Sequence, residues 1–437
     1  MKQLDSQKVA ILGAGRSGRA AAELCLKLGA KVAVYDANGI SGEWPEGVEL
    51  HENMAPLSNA EERFDLVVLS PGIETEGEFA QSFAKQSDDF IGELELGYQN
   101  YDGLVVAITG TNGKTTTTEL ISAFLNEGGI SCVPCGNHGK PLSEVVLEAE
   151  IPEAIALEVS SFQLESIKTF KPDIAVWLNF APDHMDRYEN LVDYRAAKER
   201  IFENLDGEQV VVAKTGEEFE TIKAKVVRFM SELDEDEIGG FTIRNDQIYY
   251  NNEPFVCLEE TTLRGLHNAE NVMAAAGAAQ AAGVGFDKMK EVLKTFTAPP
   301  HRCELVRTLD QVEYLNDSKA TNLHALESAL RALAKPIVLI AGGKEKGLDY
   351  RPLRELVGER VKAVVTFGEI GEELAEIFEE ATTCHCVEDL ATAVPLAQTH
   401  AVSGDIVLFS PGTSSFDQFS SYIARGEAFR EAVNQLK

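Results

Sequence analysis

The stretch Gly110-Thr111-Asn112-Gly113-Lys114-Thr115-Thr116 constrains the fold of this chain more than any other. An apolar run over residues 104–108 precedes it and reads as a buried parallel strand. Residues 116–128 follow and read as a helix that closes at Gly128-Gly129. Strand, glycine turn, Lys-Thr and helix start together make a phosphate cradle. The glycines let backbone N–H groups turn inward on an anion, and the helix end adds the positive pole of its dipole. Lys114 can neutralise the outer phosphates, and the Thr115 hydroxyl can ligate Mg²⁺. The usual spacing asks for a glycine five residues before Gly113. Ile108 stands there, so the loop is a variant.

A second glycine turn lies upstream. Residues 8–12 form an apolar strand leading into Gly13-Ala14-Gly15-Arg16-Ser17-Gly18. A helix to Leu28 closes at Gly29, and a strand over 31–35 ends at Asp36. This is a GxGxxG βαβ unit with an acid 18 residues past the last glycine, the pattern of a dinucleotide site. The residues fit a dinucleotide and another nucleotide equally well. A strand over 65–69 ends in Ser70-Pro71-Gly72, where ligands sit in open α/β sheets. Residues 92–100 read as a helix leading to the next domain.

Beyond the phosphate loop, a strand over 154–157 ends at Glu158, followed by Val159-Ser160-Ser161-Phe162-Gln163. An acid at a strand tip beside such a loop is where a Mg²⁺ ligand belongs. Another strand, 174–178, runs into Asn179-Phe180-Ala181-Pro182-Asp183-His184-Met185-Asp186. His184 reads equally as a structural residue and as a ligand or acid/base. Residues 194–205 read as helix, and spacing alone makes Lys198 a solvated helix lysine. A strand over 209–213 leads to short alternating pieces between Gly216 and Glu260, interrupted by the acidic run 232–237, which reads as a solvated loop. Gly265-Leu266-His267-Asn268 then opens an Ala-rich helix over 269–282, with Asn268 as its N-cap. Asn271 lies one turn inside, where asparagine is a poor helix former, so it is harder to dismiss as structural.

Ala298-Pro299-Pro300 breaks the chain. His301-Arg302-Cys303-Glu304 follows, then strands over 312–315, 337–341, 361–367 and 405–409. The first runs into Asn316-Asp317-Ser318-Lys319-Ala320-Thr321-Asn322. The second ends in Gly342-Gly343-Lys344-Glu345-Lys346-Gly347, and the last in Ser410-Pro411-Gly412-Thr413-Ser414-Ser415. Strand and helix alternate, so a third parallel α/β layer is expected, with these loops on one ligand-facing edge. The expected architecture is α/β in three domains: a Rossmann-like one over 1–93, a phosphate-loop one over 94–298, and a Rossmann-like one over 299–437.

Charge narrows the partners. The net charge of −32 argues against nucleic acid and anionic membranes, which both demand positive fields, but not against nucleotides. No run approaches about 18 consecutive apolar residues, so no membrane span is expected. The first six residues are polar, so no signal segment is expected. The seven cysteines are scattered without a second CxxC or a His pair, and read as reduced thiols.

Taken together, the phosphate loop, Glu158 with its Ser-Ser turn, Asp183-His184-Met185-Asp186, Lys198, His267-Asn268, His301-Arg302 and Asn316-Asp317-Ser318-Lys319 resemble the Mur ligase family. The resemblance spans the whole chain. Within the family, residues 316–321, 342–347 and 410–419 are similar to those of the member that adds D-glutamate. The resemblance implies an ATP-dependent ligase of cytoplasmic peptidoglycan precursor synthesis. ATP would phosphorylate the alanyl carboxylate of UDP-N-acetylmuramoyl-L-alanine, and D-glutamate would attack the acyl phosphate. Gly110, Thr111, Asn112, Gly113, Lys114, Thr115 and Thr116 would hold the phosphates, and Asn268, Asn271, Arg302 and Asp317 the adenosine. Thr115 and Glu158 would hold one Mg²⁺. Lys198, carbamylated by CO₂, would hold a second with His184. Lys114, His184 and Lys198 are thus the implied catalytic set. Arg16, Ser17, Asp36, Gly72 and Asn137 would bind the uridine nucleotide sugar, and Lys319, Thr321, Lys346, Ser415 and Tyr422 the D-glutamate. Ala37-Asn38 follows Asp36 where the family often has Thr and Arg, and Tyr422 stands where Phe is common. A monomer is the expected assembly. ATP would lie between the second and third domains, with the third swinging on residues 298–300. Two readings from other classes remain open on the residues alone: a nicotinamide dehydrogenase using the GxGxxG unit, and an ATP-gated binding protein.

Overall fold

A computed structural model describes residues 3–58, 63–185, 187–219, 222–230, 240–263, 265–333 and 335–437. The acidic run 232–237 and Asp186 lie outside the described residues. The chain divides into two compact units. One comprises residues 1–179, 192–257 and 270–294, and the other residues 180–191, 258–269 and 295–437.

The first unit holds two sheets. The N-terminal sheet contains β1 (Lys8–Leu12), β2 (Lys31–Tyr35), β3 (Glu49–His51), β4 (Phe64–Leu69) and β5 (Ser87–Gly92), ordered β3-β2-β1-β4-β5. All neighbours pair in parallel. The strand order reverses between β1 and β4, so the turns at Gly13 and Ser70 open on one crevice, where α/β sheets bind ligands. The Ser70 hydroxyl donates to the Gly13 carbonyl at 3.3 Å and ties the two turns together. The last glycine of the fingerprint has a steric cause: a Cβ on Gly18 would lie 1.8 Å from the Gly13 carbonyl oxygen. The helix Arg16–Lys27 can therefore start close against β1.

The second sheet contains β6 (Leu104–Thr109), β7 (Cys132–Gly136), β8 (Ala154–Glu158), β9 (Ile174–Trp177), β10 (Val210–Lys214), β11 (Lys225–Met230), β12 (Phe241–Arg244), β13 (Gln247–Tyr250) and β14 (Glu253–Cys257). Their order is β14-β13-β12-β11-β10-β9-β6-β8-β7. The strands from β7 to β12 pair in parallel, and the short alternating pieces become an antiparallel meander, β12-β13-β14, on the far edge. β6 lies between β8 and β9, which puts the phosphate loop in the middle of the sheet.

In the second unit, β15 (Glu304–Leu309), β16 (Val312–Asn316), β17 (Ile337–Gly342), β18 (Val361–Phe367), β19 (Thr383–Cys386) and β20 (Ile406–Phe409) form a sheet ordered β15-β16-β20-β17-β18-β19. Successive residues of β17 point to opposite faces, and both faces are covered. Leu339 and Ala341 pack with Leu326, Leu374 and Leu408 on one side. Val338 and Ile340 pack with Val394, Val407 and Phe429 on the other. That double burial is why β17 reads as an unbroken apolar run.

The structure corrects several expectations. Residues 87–92 are an edge strand, so the helix expected over 92–100 shortens to Glu93–Tyr98. The phosphate-loop helix begins at Lys114, directly after Gly113. The expected all-parallel third sheet carries an antiparallel edge strand, β15. The Ala-rich helix starts at Leu266, so Asn268 is not its N-cap but lies in its first turn, with its backbone N–H donating to the Gly265 carbonyl at 3.1 Å.

Candidate active site

In the first unit the site is built on the loop between β6 and the helix Lys114–Glu127. Gly113 takes φ +85°, and a Cβ there would lie 2.3 Å from the Asn271 Oδ1. Asn271 thus stands against the loop, buried, and accepts a hydrogen bond from the Thr117 hydroxyl at 3.3 Å. Lys114 folds back over the loop, its Nζ donating to the Gly110 and Thr111 carbonyls, each at 2.9 Å. Thr115 and Thr116 are buried at the helix start.

Lys198 is not a solvated lysine. It is 2% exposed, and its Nζ donates to the same Gly110 carbonyl at 2.9 Å. The two ammonium groups are therefore no farther apart than twice 2.9 Å. The Lys198 ammonium also lies 4.7 Å from the centre of the Tyr194 ring. Spacing misread this residue because it lies on the buried side of its helix, Leu191–Glu199, with Tyr194 and Ala197. Arg195, one turn earlier, pairs with Glu199 of the same helix at 2.7 Å, ties the helix to Glu217 at 2.9 Å, and covers the Trp177 ring.

Glu158 ends β8 in register with Ile108, and the Val159 N–H donates to the Ile108 carbonyl at 2.8 Å. That register sets the carboxylate beside the start of the loop, 2% exposed. Asn137 comes to it from the end of β7, its Nδ2 donating to Glu158 Oε1 at 2.8 Å. Ser160 and Gln163 form a capping box that fixes the turn behind. Asn179, which sequence reasoning passed over, clamps the loop. Its carbonyl accepts from the Thr111 N–H at 3.0 Å, its Oδ1 from the Asn112 N–H at 2.9 Å, and its Nδ2 donates to the Asn112 carbonyl at 3.1 Å. The available signal was its place just past β9, the neighbour of β6.

At the N-terminal crevice, the two Asp36 oxygens accept the backbone N–H groups of Ala14 at 2.7 Å and Asn38 at 2.8 Å. Its carboxylate fixes the glycine turn. Arg16 reaches Glu144 at 3.1 and 3.2 Å and the Gly139 carbonyl at 2.8 Å. Ser17 is half-buried and Gly72 is exposed.

The second unit brings together a different group. Lys346 Nζ meets Asp183 Oδ1 at 2.8 Å and the Thr321 carbonyl at 3.5 Å. Asn322 Nδ2 donates to Asp183 Oδ2 at 2.9 Å, and the His184 Nε2 lies 3.8 Å from that oxygen. Burial pushes the Asp183 carboxyl up, but His184, Lys346 and Asn322 more than offset this and hold it below the usual range. His184 takes φ +58°, an unusual backbone for a side chain of its size.

Asp317 is buried at the end of β16. It accepts from the Ser410 hydroxyl at 2.8 Å and the Cys303 N–H at 3.2 Å, with Arg302 nearby. Burial raises its carboxyl to about 6, despite those donors. Lys319 lies 3.9 Å from the centre of the Tyr422 ring, and Ser415 is buried in the neighbouring loop. Asn268 sits in the first turn of its helix. Among the described residues no group of three or more His, Cys, Asp or Glu is arranged to hold a metal ion. No described helix is long and apolar enough to cross a membrane.

The family model described as "Mur ligase middle domain" matches residues 108–279, and "Mur ligase, glutamate ligase domain" matches residues 301–412. The UDP-N-acetylmuramoylalanine–D-glutamate ligase of Koribacter versatilis is 38% identical over 98% of each chain. Among solved structures, the UDP-N-acetylmuramate–alanine ligase of Thermotoga maritima superposes with a TM-score of 0.63 at 19% identity, covering 99% of this chain and 100% of its own. The MurF ligase of the same organism, in complex with ADP, superposes with a TM-score of 0.60 at 17% identity, covering 99% and 96%. At such identities the two structures speak to the fold alone.

Proposed function

The chain belongs to the Mur ligase family, and from that premise we propose that it joins D-glutamate to UDP-N-acetylmuramoyl-L-alanine with consumption of ATP. Relatives bearing that activity in their names match it from end to end at 36–38% identity. The observation that carries the chemistry is the convergence of Lys114 and Lys198 on one carbonyl of the phosphate loop, in line with the buried tip of β8.

The reaction has to bring a carboxylate onto a triphosphate. Two such charges about 4 Å apart repel by about 1 kcal/mol in water and by several in a protein-like dielectric. Lys114 and the N–H groups of the loop supply positive charge at the transferring phosphoryl group. The substrate carboxylate oxygen then bonds to the γ-phosphorus as the bond to ADP breaks. The D-glutamate nitrogen next bonds to the acyl carbon, loses a proton to solvent or a nearby base, and phosphate leaves from the tetrahedral intermediate.

The donor set fits Mg²⁺: a buried Glu158 carboxylate and the Thr115 hydroxyl are hard oxygen donors near the phosphates. Bound there, Mg²⁺ supplies masking of like charge. Lys198 is the residue proposed to take up CO₂ as a carbamate, its nitrogen bonding to carbon and losing a proton, which would offer oxygens to a second ion. That step needs the neutral amine, and an ordinary lysine at about 10.4 rarely offers it.

Asn271 serves the nucleotide at the loop, and Arg302 with Asp317 the adenosine. Lys319, Thr321, Lys346, Ser415 and Tyr422 hold the D-glutamate, and Arg16, Ser17, Asp36, Gly72 and Asn137 the nucleotide sugar. The three sheets are assigned to domains over 1–93, 94–298 and 299–437, each built round one of them.

The test follows one atom. With ¹⁸O in the alanyl carboxylate, one label appears in the released phosphate. Product formed with unlabelled phosphate contradicts the acyl phosphate route.

A further inference from the structure

Arg425 belongs to none of the motifs above, yet it is 0% exposed, one of the largest fully buried side chains in the chain. It projects from the helix Tyr422–Gln435. Its Nε donates to the Ser318 hydroxyl at 3.1 Å. One terminal nitrogen donates to the Ser318 carbonyl at 2.9 Å and the Thr413 carbonyl at 3.0 Å, and the other to the Ser414 carbonyl at 3.0 Å. Burial lowers its guanidinium to about 10, which still leaves it cationic at neutral pH.

The partners decide what this does. Ser318 precedes Lys319, and Ser414 precedes Ser415. The third loop joins through the backbone: the Lys344 N–H donates to the Ser414 carbonyl at 3.0 Å, two residues before Lys346. Ser318 also donates its hydroxyl to the Tyr422 carbonyl at 2.8 Å. One planar fork thus fixes the two strand-end loops that carry Lys319 and Ser415, and through Ser414 the loop that carries Lys346. We infer that Arg425 is the positioning residue of the amino-acid subsite. It registers the loops after β16, β17 and β20 against one another so that their cationic and hydroxyl groups meet a dicarboxylate amino acid together. The inference rests on the proposed function for the identity of the amino acid. A lysine cannot replace it, because one compact ammonium does not span four acceptors on two loops.

The test is steady-state kinetics of Arg425→Lys, varying each substrate in turn. Losing charge-assisted hydrogen bonds is expected to raise the KM for D-glutamate about tenfold or more. The KM values for ATP and the nucleotide sugar should stay within about twofold. Ser318→Ala, which removes only the hydroxyl link, should move the same constant in the same direction by less. If Arg425→Lys does not fold, Ser318→Ala alone decides. An unchanged D-glutamate KM in a folded variant overturns the inference, as does an equal rise for all three substrates. A parent protein that makes no D-glutamate-dependent product would instead refute the proposed function.

Discussion

At the scale of single residues, the account turns on charges held out of water. Lys198→Ala removes a buried amine that shares a carbonyl with Lys114. Turnover is expected to fall about a hundredfold or more. Added short carboxylates should restore part of it, measured as phosphate release. Undiminished activity would remove the carbamate from the mechanism. Asp317 gives a pH signature. Its carboxyl is raised from 3.8 to about 6 by burial, so between those values the folded state holds a proton that the unfolded state has released. Stability contributed by that group is therefore lost as pH rises from about 4 to about 6. Denaturant midpoints of Asp317→Asn should gain on the parent across that window and hold the gain above it. A constant difference at all pH values would contradict the raised carboxyl. Neither Lys198 nor Arg425 was legible as buried. The carbonyl that holds Lys198 lies 88 residues away in sequence, and those that hold Arg425 belong to loops whose approach only the fold decides.

At the scale of elements, the central strands were legible and the edges were not. β1, β6 and β17 are covered on both faces along most of their length, so residues 9–12, 104–108 and 337–341 are apolar without interruption. β3, β5 and β19 lie at sheet edges and carry polar residues, and β3 and β19 are short as well, so nothing in their pattern separates them from loops. The misplaced start of the helix Leu266–Ala281 has a local cause. Asparagine favours N-caps, but at Asn268 the first turn already closes on the Gly265 carbonyl. The phosphate loop was legible because its glycines answer to geometry. Gly113→Ala tests this, since its Cβ would meet the Asn271 amide at a left-handed backbone position. The backbone strain alone costs about 1–2 kcal/mol. ATP consumption should fall at least about tenfold, with a lower melting midpoint. An alanine variant with the parent's ATP dependence would show that Asn271 and the loop yield freely.

At the scale of the whole molecule, the chain carries three parallel-dominated sheets, and in two of them a strand runs through a glycine turn into a helix. Composition set limits but not identity. A net charge of −32 argues against a polyanion partner, because nucleic acid and anionic membranes demand positive fields. The identity of the added amino acid rests on relatives named for D-glutamate that match along the chain. The most direct measurement is phosphate release from ATP and UDP-N-acetylmuramoyl-L-alanine across a panel of amino acids. Release is expected with D-glutamate and not with L-lysine, meso-diaminopimelate, L-alanine or L-glutamate. Equal or greater release with any of those four would contradict the account.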